Sequence, residues 1–138
     1  MPFVNLKIVK NQVTLEKKKE LISGLTDLIV NIMGRERKHT VITVDELEES
    51  QWAIGGITLD EAMSKKEIVT FVNIKVSKGT TNPDEMNKMM KEIKELIIKV
   101  LGSSAVPNYV VIEELSPDGW GFDAISMTEQ NRIKWNSK

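Results

Sequence analysis

The chain repeats itself after 68 residues, and this repeat restricts the possible folds more than any other feature of the sequence. The segment Phe3–Ile8 recurs as Phe71–Val76 with identical or similar residues, and Trp52 recurs as Trp120. The two copies align without a gap and together account for most of the 138 residues. Two copies are too few, and the period is too long, for a solenoid. The repeat therefore indicates one pseudo-symmetric domain, residues 1–138, that arose by duplication and fusion of a short unit.

Each copy has the pattern strand, helix, strand. It opens with apolar residues at alternate positions, which is typical of a strand with one buried face. A helix with apolar residues on one face follows, for which Thr14 and Asn82 are the predicted N-caps and Gly34 and Gly102 the predicted C-caps. A second apolar strand completes each copy. The predicted boundaries are 2–62 for the first repeat, 63–68 for a linker, 69–130 for the second repeat and 131–138 for a tail.

This order of elements predicts an α+β fold. Two strands joined through a helix pair in parallel with a right-handed crossover. Two such units side by side form a four-stranded sheet with both helices on one face. The other face of the sheet would be exposed to solvent in a single chain, so we expect self-association to bury it.

The composition argues against several classes of function. With 19 basic and 20 acidic residues the net charge is −1, so the chain has no overall field to hold a nucleic acid or an anionic membrane. The sequence contains no cysteine, and His39 is its one histidine, so neither a thiolate site nor a histidine-based metal cage is expected. The start of the chain lacks the basic and apolar regions of a signal peptide, so we expect a cytoplasmic protein.

Two further features resemble a known family. Met1-Pro2 runs directly into a strand, and Trp52-Ala53-Ile54-Gly55-Gly56 follows the second strand of the first copy. With the strand-helix-strand unit, these features resemble the tautomerase superfamily typified by 4-oxalocrotonate tautomerase, in its fused tandem form. The resemblance implies a homotrimer and a keto-enol tautomerase that acts on a small carbonyl substrate without a metal or organic cofactor. It also implies that removal of Met1 frees the amine of Pro2 as the catalytic group.

Pro2 suits this role only in a suitable environment. A secondary amine is more basic than an ordinary α-amino group, so burial or nearby cations must keep it neutral at pH 7. Phe3 and Trp52 are the predicted apolar walls of its pocket. A neutral nitrogen could then take a proton from the carbon beside a carbonyl group. The alternative is that Pro2 merely begins an edge strand.

The residues that would bind a substrate carboxylate differ from those of the family. The arginines of the family fall here at residues 11–13, at Val41 and at Tyr109, none of which is basic. The resemblance to some fused members suggests Lys78, just after the first strand of the second copy, and Tyr109 could donate a hydrogen bond to a substrate oxygen. Arg35 and Arg37 are further candidates, although cations also favour the end of a helix for electrostatic reasons.

Two other functions stay open at this point. A related dehalogenase, hydratase or decarboxylase would use protonated Pro2 as an acid, and Asp45-Glu46 or Glu113-Glu114 could activate water. Alternatively, the chain is a catalytically silent oligomer that binds a small molecule or only itself. His39 precedes a strand in a basic loop, which favours a surface histidine over an acid or base.

Overall fold

The computed structural model describes residues 2–62 and 67–136. The four long strands are β1 (Phe3–Val9), β2 (Val41–Leu47), β5 (Thr70–Ser77) and β6 (Val110–Leu115). The short strands are β3 (Ala53–Ile54), β4 (Ile57–Thr58), β7 (Gly121–Phe122) and β8 (Ile125–Ser126). The helices are α1 (Leu15–Met33), α2 (Pro83–Leu101) and α3 (Met127–Asn136). The predicted strand-helix-strand order is thus present in both copies.

The four long strands form one sheet in the order β2-β1-β5-β6. The pairs β1–β2 and β5–β6 are parallel, as predicted for strands joined through a helix. The two copies meet where β1 pairs with β5 in antiparallel orientation and Asn5 lies opposite Asn73. Because of this orientation, the start of β1 lies beside the end of β5, and the start of β5 lies beside the end of β1. The sheet therefore has two equivalent ends, one for each copy.

The long helices begin and end at the predicted residues. The Thr14 hydroxyl accepts a hydrogen bond from the Lys17 amide at the start of α1, and the Asn82 side chain does so from the Glu85 amide at the start of α2. Gly34 and Gly102 end the helices in left-handed conformations that favour glycine. The core between helices and sheet consists of Val4, Leu6, Ile8, Leu21, Leu25, Ile29, Met33, Val72, Ile74, Val76, Met89, Ile93 and Ile97. The prediction of an α+β fold with both long helices on one sheet face is confirmed.

The open face of the sheet carries two matching polar clusters. In the first copy, Asp45 accepts hydrogen bonds from Lys7 Nζ at 2.9 Å and from Asn5 Nδ2 at 3.1 Å. In the second copy, Glu113 lies 3.1 Å from Lys75 Nζ and accepts a hydrogen bond from the side chain of Asn73 at 3.2 Å. In each cluster the lysine, and then the asparagine, hold the pKa of the carboxyl group below its usual value.

These two carboxyl groups are expected to make the fold sensitive to acid. A lowered pKa means that their contribution to stability is present above the pKa of the unfolded chain and is lost as the pH falls through the folded value. We expect urea to unfold the protein more easily below about pH 4, where unfolded Asp and Glu become protonated. In the double variant Asp45→Asn, Glu113→Gln this decline should be shallower. Equal declines in both proteins, measured as urea midpoints at pH 7 and pH 3, would contradict the expectation.

Each copy ends in a short hairpin, and the second hairpin leads into α3. Strand β3 pairs with β4, and β7 pairs with β8. The side chain of Gln130 in α3 donates a hydrogen bond to the Phe122 carbonyl, and the Thr128 hydroxyl donates one to Asp118. The helix α3 was not predicted, and it crosses the predicted boundary between the second repeat and the tail.

The predicted boundaries are not settled by this structure. Of the predicted linker 63–68, residues 63–66 lie outside the described part of the chain. The limits of the repeats and of the tail stay predictions. Among the described residues, no helix is both long enough and apolar enough to span a membrane.

Candidate active site

A cavity of about 360 Å³ lies at the end of the sheet where β1 begins. Pro2 precedes β1 on the same face as Val4 and Leu6, and it is buried. The other walls come from the connection between α1 and β2, the end of β5, the second hairpin and α3. The cavity is lined by Pro2, Gly34, Arg35, Glu36, Lys38, His39, Ser77, Thr80, Phe122, Met127, Gln130, Asn131 and Lys134. This set contains Pro2 together with several cations.

Arg35 is fixed in this cavity by the residues that follow β5. Gly34 ends α1 in a left-handed conformation, and Arg35 is the next residue. Its Nη2 atom donates hydrogen bonds to the carbonyl of Thr80 at 2.8 Å and to the Thr80 hydroxyl at 2.6 Å. Burial lowers the pKa of Arg35, and the charge of Glu85 partly offsets this effect. A guanidinium group stays charged under these conditions, so a cation is held at the cavity wall.

Two residues that line this cavity each have a buried polar atom without a hydrogen-bond partner in the described part of the chain. One atom is Nε of Arg35, and the other is Oγ of Ser77, a residue that is 4% exposed. Buried polar groups are normally paired with protein, water or a ligand. An Arg N–H and a serine hydroxyl can both donate to an anionic or carbonyl oxygen. The cavity is therefore suited to a ligand that carries such oxygens.

His39 lies in the same cavity between an acidic and an aromatic side chain. Its Nε2 atom is 3.3 Å from a carboxylate oxygen of Glu36. On the side of the second hairpin, its ring lies 5.2 Å from the ring of Phe122, measured between centroids. Of the described residues that line the cavity, Glu36 is the one with an acidic side chain.

The structure places the predicted site residues in several locations. Of these residues, Arg35 lies in the cavity with Pro2. Arg37 is directed elsewhere and pairs with Asp27 at 2.7 Å on the surface. Phe3 lines a separate depression with Lys75 and Trp120. Lys78 is exposed, and within the described part of this single chain it does not line the Pro2 cavity.

Trp52 and Tyr109 lie together at the opposite end of the sheet. They line a cavity of about 380 Å³ with Thr70, the residue that replaces Pro2 in the second copy. Of the described residues that line this second cavity, none is charged, although Lys94 lines an adjoining one. In the repeat, Arg35 corresponds to Ser103 and His39 to Pro107. Roles in substrate binding for Trp52, Tyr109, Phe3, Lys78 and Arg37 stay predictions.

Sequence reasoning did not identify several residues of the Pro2 cavity. These residues are Glu36, Phe122 and the neighbouring pair Ser77 and Thr80. They belong to three different segments, and they meet only because β1 and β5 are antiparallel. The repeat contained one signal that could have identified Phe122. The hairpin of each copy reaches the end of the sheet where the other copy begins, so Phe122, and not Trp52, belongs to the Pro2 end.

A protein-family model described as tautomerase enzyme matches residues 2–61 and 71–129, which are the two copies in turn. The chain belongs to the tautomerase family. Among curated relatives, it is 48% identical over 61 residues to a probable tautomerase K2 of Dickeya dadantii, covering 44% of this chain and 91% of the relative. It is 31% identical over 67 residues to a probable tautomerase of Helicobacter pylori, covering 47% of this chain and 98% of the relative. These probable tautomerases match about one copy each, and their names support an isomerase-type enzyme.

Several solved structures share the fold over most of this chain. A native fused 4-OT has a TM-score of 0.81 at 16% identity, and a fused 4-OT solved as a symmetric trimer has 0.80 at 16%. The protein Pt0534, solved after inactivation by 2-oxo-3-pentynoate, has 0.81 at 15%. In each comparison 94% of this chain and 99% of the other chain are covered. At these identities the comparison establishes the fold alone.

Proposed function

We propose that the chain is a cofactor-independent tautomerase in which the amine of Pro2, freed by removal of Met1, acts as the general base. It would move a proton between carbon and oxygen in the enol or keto form of a small 2-oxo acid. The observation that carries this proposal is the shared cavity of Pro2, Arg35 and Ser77, with Nε and Oγ unpartnered. This cavity joins a possible base to two donors for substrate oxygens.

The surroundings of Pro2 favour a neutral amine. Burial disfavours the protonated form because a charged nitrogen loses hydration. The cation of Arg35 acts in the same direction because it repels a second positive charge. A neutral secondary amine keeps the lone pair that a general base needs.

Arg35 and Ser77 can orient such a substrate through its oxygen atoms. The Arg35 side chain is held by Thr80, so its Nε–H can bind a carboxylate oxygen without much further loss of side-chain freedom. The Ser77 hydroxyl can donate to the adjacent carbonyl or enol oxygen. A volume of about 360 Å³ limits the substrate to a small molecule.

One observation supports a second candidate function. Glu36 lines the cavity, so it could activate a water molecule while protonated Pro2 acts as an acid, as in a hydratase or a related dehalogenase or decarboxylase. The acidic residues first considered for this task lie elsewhere. Asp45 and Glu113 bind lysines on the open sheet face, and Glu46 pairs with Lys18.

Assembly is part of the same proposal. Fused 4-OT proteins of this fold form trimers, and the open sheet face offers this chain a surface for the same association. We propose a homotrimer with one Pro2 cavity per chain, because Thr70 stands within the chain at the equivalent place.

Mass spectrometry with 2-oxo-3-pentynoate tests the function. If the purified chain lacks Met1, a neutral Pro2 nitrogen should add to the triple bond. The amine proton then moves to the neighbouring carbon, and the amino-terminal peptide gains the mass of one whole probe molecule. Phenylenolpyruvate should also be ketonised, and labelling should abolish this activity. Hydrated probe with an unmodified chain would favour the hydratase, whereas neither labelling nor turnover would favour the silent oligomer.

A further inference from the structure

We infer that His39 is a second catalytic residue, which exchanges a proton with the substrate oxygen while Pro2 exchanges one with carbon. The inference rests on the proposed function of Pro2. It starts from the location of the imidazole, which lines the Pro2 cavity although the sequence pattern favoured a surface residue.

The contacts of His39 position its ring. A single 3₁₀ turn, Arg37–His39, holds its backbone, and the His39 amide donates a hydrogen bond to the Glu36 carbonyl at 3.1 Å. The Glu36 carboxylate lies 3.3 Å from Nε2, and Phe122 packs near the ring at an angle of 45°. About a third of the side chain is exposed (32%). The imidazole is thus restrained but still accessible to a small molecule.

Glu36 also favours one arrangement of protons on the imidazole. A carboxylate near Nε2 stabilises a proton on that nitrogen, which leaves the lone pair on Nδ1. The other charged groups at this cavity are Arg35 and Lys38 from the same connection and Lys134 from α3. The lone pair on Nδ1 can accept a proton from a hydroxyl group of the substrate.

The two copies of the repeat differ at both proton-transfer positions together. Thr70 replaces Pro2, and Pro107 replaces His39. The second cavity therefore lacks both a possible terminal amine and an imidazole, and the first cavity has both. This pairing is what a reaction with two proton-transfer sites requires.

Tautomerisation removes a proton from one atom of the substrate and adds a proton to another, here oxygen and carbon. In the ketonisation of an enol, the O–H bond breaks as its proton passes to Nδ1 of neutral His39, which leaves an enolate and an imidazolium ion. Proton exchange through water then returns His39 to its neutral form and protonates the neutral amine of Pro2. Protonated Pro2 gives this proton to carbon as the new C–H bond forms, and the electron pair on the enolate oxygen forms the carbonyl group. The products are the ketone, neutral Pro2 and neutral His39, so no other reactant is needed.

Replacement of His39 and rescue by imidazole test this role. We expect His39→Ala and His39→Gln to lower kcat for phenylenolpyruvate by about 10²-fold, with a much smaller change in KM. Added imidazole should restore part of the activity of His39→Ala, because it can occupy the vacated space and accept the proton. It should not restore the activity of Pro2→Ala. This rescue separates proton transfer from a merely structural role.

The remaining outcomes decide against the inference. A kcat within about twofold of the wild type in His39→Gln would overturn it, and this variant decides the matter if His39→Ala does not fold. A folded His39→Ala that is inactive and not rescued would also overturn it. In both cases Pro2 should still be labelled stoichiometrically by 2-oxo-3-pentynoate, so the function of Pro2 would stand. A wild-type chain that is neither labelled nor active would remove both proposals.

Discussion

Pro2→Ala is expected to lower kcat/KM for the ketonisation of phenylenolpyruvate by about 10²-fold or more, which is the usual contribution of a general acid or base. Removal of Met1 requires a small residue at position 2, and alanine meets this requirement as proline does. The variant therefore keeps its amino terminus at position 2. However, the new primary amine is less basic and is no longer held by a ring. The effect should therefore fall mainly on kcat and much less on KM.

Thr70→Ala is the matched control for this variant, because Thr70 occupies the equivalent place in the second copy. It is also buried, and it begins the equivalent strand. We expect its kcat/KM to stay within about twofold of the wild type. Full activity in Pro2→Ala, or an equal loss in both variants, would contradict the assignment of Pro2 as the base.

Arg35→Ala is expected to raise KM about 10- to 100-fold with a smaller change in kcat. Hydrogen bonds to charged groups contribute about 1.5–3 kcal/mol, and each 1.4 kcal/mol corresponds to a factor of about ten in affinity. A carboxylate should be bound similarly in the ground state and in the transition state, which is why KM responds most. Arg35→Lys should show an intermediate KM, because a lysine keeps the charge but not the planar N–H groups.

Arg37→Ala separates carboxylate binding from a general loss of positive charge. Arg37 is two residues away, but it pairs with Asp27 on the surface, where both side chains are about half exposed. We expect its KM to change by less than about twofold, as surface ion pairs contribute little. The free energy of unfolding should be measured for Arg35→Ala as well, because this change also removes the bonds to Thr80. Equal KM values in the two alanine variants would exclude Arg35 as the carboxylate ligand.

Most of the fold could be predicted from the sequence because its signals are local and occur twice. The alternation in Phe3–Ile8 and the caps at Thr14 and Asn82 each depend on a few neighbouring residues, and the structure confirms them. The third helix is different. It has weak apolar periodicity and no counterpart described in the first copy, so no such signal marked Met127–Asn136 in advance.

The candidate site was harder to predict because its residues meet through the tertiary fold. Pro2 could be proposed from its place before a strand, and Arg35 from its charge. The distinction between Arg35 and Arg37 depends on side-chain direction, since one reaches Thr80 and the other Asp27. Likewise, His39 lies in the cavity because the short turn that begins after Glu36 directs it toward Phe122.

The antiparallel pairing of β1 with β5 places the two cavities at opposite ends of the central strands. Ile8 of β1 pairs with Thr70. It is six positions from Pro2 along the strand, or about 20 Å at 3.3 Å per residue. In an assembly of identical single repeats, every substitution would appear at both ends at once. In the fused chain a cation or histidine can be gained at one end alone, and the other end is free to change for stability or for binding. The fusion thus allows the two ends to evolve independently within one gene.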